Sequence, residues 1–124
     1  MNHSGNVLAF IGDAVMSLQV REYLVSLGLT KTKELQETSV KFVSAEAQSK
    51  FMTKMLDDNI LSDDELAIYR RGRNAKSASA AKNADIKDYR IATGFEALWG
   101  YLHMSKQLER LEELWELFKS EVEL

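Results

Sequence analysis

Two stretches of the chain are apolar almost throughout, and each carries a single acid. Val7 to Val20 reads V-L-A-F-I-G-D-A-V-M-S-L-Q-V with Asp13 as its only charge, and Ile91 to His103 reads I-A-T-G-F-E-A-L-W-G-Y-L-H with Glu96 as its only acid. In the first, Leu8, Ile11, Val15 and Leu18 recur at three- and four-residue intervals, which predicts a helix from 7 to about 27 with that stripe inward. Gly28 is placed to end it. Thr30 can cap a short helix through about Val40 that carries Leu35 inward, and Ser44 opens a third with Ala47, Phe51, Met52 and Met55 on its apolar side. Ser62-Asp63-Asp64-Glu65 has the form of a capping box with acids in the first turn, so a fourth helix starts there and runs into R-R-G-R-N-A-K. Asp85 caps the fifth, about Ile86 to His103. Ser105 caps the last, striped by Leu108, Leu111, Trp115, Phe118 and Val122. No segment alternates with period two, so the pattern predicts an all-α fold of about six helices.

Composition supports that reading. The 124 residues include no proline and no cysteine, and 45% are hydrophobic. One domain with a real core fits this length, spanning 1–124 without a linker or internal repeat. The polar opening 1–5 is expected to fray. Ser77 to Ala84, small and polar without a bulky anchor, reads as a mobile loop. The absence of cysteine removes disulfides and thiolate metal sites and fits a reducing, cytoplasmic setting. No leader and no run of eighteen apolar residues stands in the sequence, so no membrane partner is expected.

Charge changes the picture more. The net is −3, but between Arg70 and Arg90 seven basic residues (Arg70, Arg71, Arg73, Lys76, Lys82, Lys87, Arg90) face two acids, a local net of +5 that leaves −8 for the remainder. A basic island on an acidic body is the sequence form of a polyanion-binding patch, although a solvated helix face has the same composition.

Candidate chemistry narrows by elimination. G-x-x-x-x-G-K, H-E-x-x-H and G-x-S-x-G are all missing. His3 and His103 lie at a polar terminus and a helix end, and the methionines at helical spacing are core filler. Asp13 and Glu96 remain. Either can be neutralised by an arginine, with Arg21 and Arg90 the obvious candidates. Taken together, two mid-helix carboxylates with nearby glycines point to a shared cation, because an ionised carboxylate in an apolar run is costly to bury alone. Oxygen ligands without His or Cys select a hard ion such as Mg²⁺. Beside an arginine-rich island, such an ion implies a phosphodiester substrate.

At these residues the chain resembles the ribonuclease III family. L-A-F-I-G-D-A-V (Leu8 to Val15) resembles the family signature L-E-F-L-G-D-[AS]-[VI], and T-G-F-E-A-L-W-G (Thr93 to Gly100) resembles its second acidic motif, D-x-x-E-A-x-x-G. R-R-G-R-N-A-K (Arg70 to Lys76) and V-S-A-E-A-Q (Val43 to Gln48) are similar to the mini-ribonuclease III subgroup, which has the catalytic domain without a double-stranded-RNA-binding domain. The resemblance covers nearly the whole chain. It implies an all-α homodimeric endonuclease that cuts double-stranded RNA with Mg²⁺ and leaves 5′-phosphate and 3′-hydroxyl ends. The substrate it suggests is the precursor of large-subunit ribosomal RNA, with a ribosomal protein as a candidate companion.

Carried over by position, Asp13 and Glu96 match the metal-binding acids, and Phe10 matches the aromatic packed into the partner subunit. Arg70, Arg71, Arg73, Asn74, Lys76, Lys82 and Lys87 are the expected RNA contacts. Two positions depart from the pattern: Ala9 replaces a signature glutamate and Thr93 an aspartate, a reduced set that the mini subgroup shares. An inactive RNA-binding or ribosome-associated relative is the alternative that those two positions favour.

Overall fold

The computed structural model describes residues 3–75 and 85–124, all of whose regular structure is helical. Six helices follow in order: α1 (Gly5–Ser26), α2 (Thr32–Val43), α3 (Ala45–Asp57), α4 (Asp63–Arg73), α5 (Ile86–Met104) and α6 (Leu108–Glu121). Helix α5 is central, packed against α1, α3, α4 and α6.

Local chemistry sets most boundaries where the sequence predicts them. Ser44 accepts from the Ala47 N–H, Asp85 from the Lys87 N–H, and Ser62 and Glu65 close a reciprocal capping box. Gly28 follows α1 in the left-handed region, at φ 91°. Three expectations shift. Helix α1 begins at Gly5 rather than Val7, with Ser4 accepting from the Val7 N–H, so the opening expected to fray is helical from its fifth residue. Helix α2 starts after Lys31 and extends to Val43, which brings Phe42 into the core where Leu35 is only half-buried. In α6 the N-cap is Gln107, Ser105 ends α5 instead, and Leu114 is buried while Leu108 is exposed.

The largest correction concerns the inward face of α1. Leu8 is buried, but Ile11 and Val15 are half-buried and Leu18 is 59% exposed. The buried row is Leu8, Gly12, Met16, Val20 and Leu24, a strict four-residue repeat. Its register is set by close approach to α5. A Cβ on Gly12 would lie 1.7 Å from the Glu96 carbonyl oxygen, and one on Gly100 would lie 1.9 Å from the Leu8 carbonyl oxygen. Only glycine lets the two main chains touch at this crossing.

Around the crossing lies an aromatic core. Phe51 stacks on Phe118 at 4.4 Å, Phe95 leans on Trp99 at 4.3 Å, and Phe42 fills the space between Tyr23 and Trp115. Each such side chain contributes on the order of 2–3 kcal/mol by leaving water. Trp99 Nε1 donates to Gln19 Oε1 at 2.7 Å, so its polar edge is satisfied inside. Across the molecule, Arg110 reaches the buried Glu65 through Nε and Nη2, both at 2.9 Å, and ties α6 to the start of α4.

Candidate functional site

Asp13 and Glu96 meet where α1 crosses α5, their carboxyls close enough for Asp13 to act on the protonation of Glu96. Asp13 follows Gly12 in α1, and Glu96 precedes Gly100 by one turn in α5. The two close-approach glycines therefore bring both acids together. Asp13 is exposed and Glu96 is half-buried, which corrects the expectation of two buried charges. Neither is neutralised by Arg21 or Arg90, and among the described residues no ion pair involves either acid. Each is the other's partner.

That geometry controls protonation. Burial pushes the Glu96 carboxyl up, the hydrogen bond to Asp13 and the Asp13 charge push it further, and Gln48 opposes them weakly, leaving Glu96 at about 9. Desolvation of the Glu96 carboxyl, with a like charge close by, is the physical cause. A cation between them removes the repulsion, so the pair suits a hard divalent ion.

Two positions that depart from the resemblance add no oxygen ligand. Ala9 is buried against Leu8, Ile68 and Ala97, and the Thr93 hydroxyl donates to the Tyr89 carbonyl at 2.9 Å. Among the described residues no group of three or more His, Cys, Asp or Glu gathers to hold a metal. A cation at this crossing would find Asp13 and Glu96 as its nearest carboxylates.

The basic island divides. Arg73, Asn74, Lys87 and Arg90 line one open cleft of about 480 Å³ between the end of α4 and the start of α5. Arg73 lies over the Tyr69 ring, 5.7 Å from its centroid. Arg70 is exposed on α4, while Arg71 turns aside and donates from Nη1 to the His3 carbonyl at 3.0 Å. Lys76, Lys82 and the loop 77–84 lie outside the described residues. Glu96 is nine residues beyond Lys87, about 13 Å along α5. The cleft and the acid pair are thus separate stations along one helix.

Phe10 is 78% exposed, with Val7 half out of the protein beside it. Its ring stands in water on the outer face of α1. Gln48 was not anticipated: it is a buried amide beside Glu96, at the inward position of α3 that precedes Phe51, Met52 and Met55. Its signal in the sequence is a polar residue at the head of an apolar stripe.

Comparison with known proteins places these features in a family. The description "Ribonuclease III domain" matches residues 6–107. The chain is 52% identical over 111 residues to "Mini-ribonuclease 3" of Enterococcus faecalis, covering 90% of this chain and 84% of that protein. It is 50% identical over 111 residues to the protein of the same name in Streptococcus pneumoniae, covering 90% and 87%. A crystal structure of a Fusobacterium nucleatum protein superposes with a TM-score of 0.85 at 27% identity, covering 94% of this chain and 93% of that one. The match spans both acidic helices and the arginine-bearing end of α4, so this chain belongs to the ribonuclease III family of endoribonucleases.

Proposed function

We propose that this chain cleaves double-stranded RNA with Mg²⁺ held by Asp13 and Glu96, in maturation of the large-subunit ribosomal RNA precursor, leaving 5′-phosphate and 3′-hydroxyl ends. The observation that carries this reading is the juxtaposed acid pair at the α1–α5 crossing, inside a ribonuclease III domain. When bound, Mg²⁺ supplies charge stabilisation at the phosphate and a water of lowered pKa. Asp13, exposed, presents its carboxylate to the substrate side. Glu96, half-buried, would hold the ion together with Asp13 in its deprotonated form. Ala9 and Thr93 leave the site short of oxygen, so RNA phosphate completes the shell.

RNA duplex is gripped through phosphates and 2′-hydroxyls rather than base edges. Arg70, Arg73, Asn74 and Lys87 are suited to that backbone contact, with Lys76 and Lys82 in the adjoining segment; Arg71 instead braces the start of α1. Phe10 on the outer face of α1 anchors a second copy of the chain, which brings two acid pairs to one duplex. A cytoplasmic location agrees with a ribosomal RNA substrate. A ribosomal protein bound to that precursor is the expected companion.

The competing reading is an inactive RNA binder, favoured by Ala9 and Thr93. Incubation with duplex RNA at low salt, with Mg²⁺ or chelator, separates the two. Mg²⁺-dependent cutting that is lost in Asp13→Asn and Glu96→Gln supports the enzyme. Binding without cutting at every Mg²⁺ concentration sinks it. Arg73→Ala should weaken binding and flatten its salt dependence by about one phosphate contact.

A further inference from the structure

Gln48 is 2% exposed, and its Nε2 is the one buried side-chain polar atom among the described residues without a hydrogen-bond partner. A buried donor left unpaired is destabilising, and a leucine or methionine would fill the same space on α3 without that defect. The placement is firm. Ser49, the next residue, donates through Oγ to Asp88 Oδ1 at 2.8 Å, which pins this turn of α3 against α5. The Gln48 amide stands beside Glu96, within reach of its carboxyl but without completing a bond of ordinary geometry.

The unpaired donor therefore lies beside a carboxyl of the acid pair. A Glu96 carboxylate that held a cation through one oxygen would leave the other half-buried and in need of a donor. We propose that Gln48 is a positioning residue of this site, whose Nε2–H holds the inner oxygen of Glu96 while the outer one faces a divalent cation. This rests on the reading of Asp13 and Glu96 as cation ligands. In metal sites generally, a hydrogen bond to the far side of a ligand fixes its orientation and strengthens its hold on the ion.

The test uses the full chain with Gln48→Met and Gln48→Leu. Mn²⁺ is the probe, with free ion counted by electron paramagnetic resonance, and thermal melting is followed separately in chelator. Both variants should bind Mn²⁺ about 10- to 100-fold more weakly, while melting in chelator stays level or rises. An amide with a merely structural role gives the opposite pair of results: lower melting with unchanged Mn²⁺ affinity, which overturns the proposal. Failure of both variants to fold overturns it as well, because an unpaired donor has no stabilising bond to lose. If wild type binds no Mn²⁺, the cation reading of Asp13 and Glu96 itself falls.

Discussion

Replacing Glu96 by glutamine removes an ionisation that the folded chain resists, and the size of the effect follows from the acid pair. The carboxyl stands at about 9 when folded and at 4.5 when free. Between those values the unfolded chain has released a proton that the folded chain keeps. Stability is then fully present below pH 4.5 and is lost as pH rises toward 9, at about 1.4 kcal/mol per pH unit. From 4.5 to neutral pH the loss is roughly 3.4 kcal/mol at most. Because Glu96 is partly open to solvent, about 2 kcal/mol is the working figure. Glutamine copies the shape of the protonated acid and cannot ionise. Glu96→Gln should accordingly be more stable than wild type by about 2 kcal/mol at pH 7 and by less than about 1 kcal/mol at pH 5, while losing cleavage. Urea unfolding in chelator at one protein concentration, followed through the buried Trp99 and Trp115, measures the difference at pH 5 and pH 8. Equal differences at the two pH values would refute the reasoning, as would a variant less stable than wild type at pH 8.

Other perturbations have distinct signatures. Gly100→Ala forces a Cβ to 1.9 Å from the Leu8 carbonyl oxygen and should cost about 3 kcal/mol or more, read as a lower urea midpoint. Phe10→Ala should leave monomer stability within about 0.5 kcal/mol, since the ring is 78% exposed, yet weaken self-association about 30-fold in sedimentation equilibrium. Glu65→Gln breaks a buried pair that also holds the Ile60 carbonyl through Arg110 Nη2 at 2.7 Å. Burial would raise the Glu65 carboxyl, but its bonds to Arg110 and Ser62 outweigh that and hold it below the ordinary value. The stabilisation it gives is present above the ordinary carboxylate range and is lost as pH falls through the lowered value. The substitution should therefore cost about 2 kcal/mol at pH 7 and much less near pH 3, measured by thermal melting.

Helix count, the caps at Ser44, Ser62 and Asp85, and the pairing of Asp13 with Glu96 were legible in the sequence, because each rests on contacts within one turn or on one rare residue type in an apolar run. The register of α1 was not. Its sequence is apolar on more than one side, so hydrophobic spacing alone offers both the Leu8–Ile11–Val15–Leu18 row and the Leu8–Gly12–Met16–Val20 row. Gly12 decides between them, yet glycine carries no hydrophobic signal; only the approach of α5 gives it meaning. The Glu65–Arg110 tie spans 45 positions and depends on how α6 folds back, so nothing local announces it. Gln48 closes the V-S-A-E-A-Q run without a sequence signal of its role, since that role depends on what surrounds its Nε2 rather than on its neighbours along the chain.

The contact between Gly12 and the main chain of Glu96 has an evolutionary consequence. A site whose acids are spaced by layers of side chains is retuned whenever one of those layers changes volume. Here the spacer is peptide backbone touching peptide backbone, which has the same dimensions in every sequence. Phe42, Phe51, Trp115 and Phe118 can drift in size and shape, and the cost falls on melting temperature rather than on the separation of Asp13 from Glu96. The core can be repacked around such a site, and the spacing of its acids is held by Gly12 and Gly100.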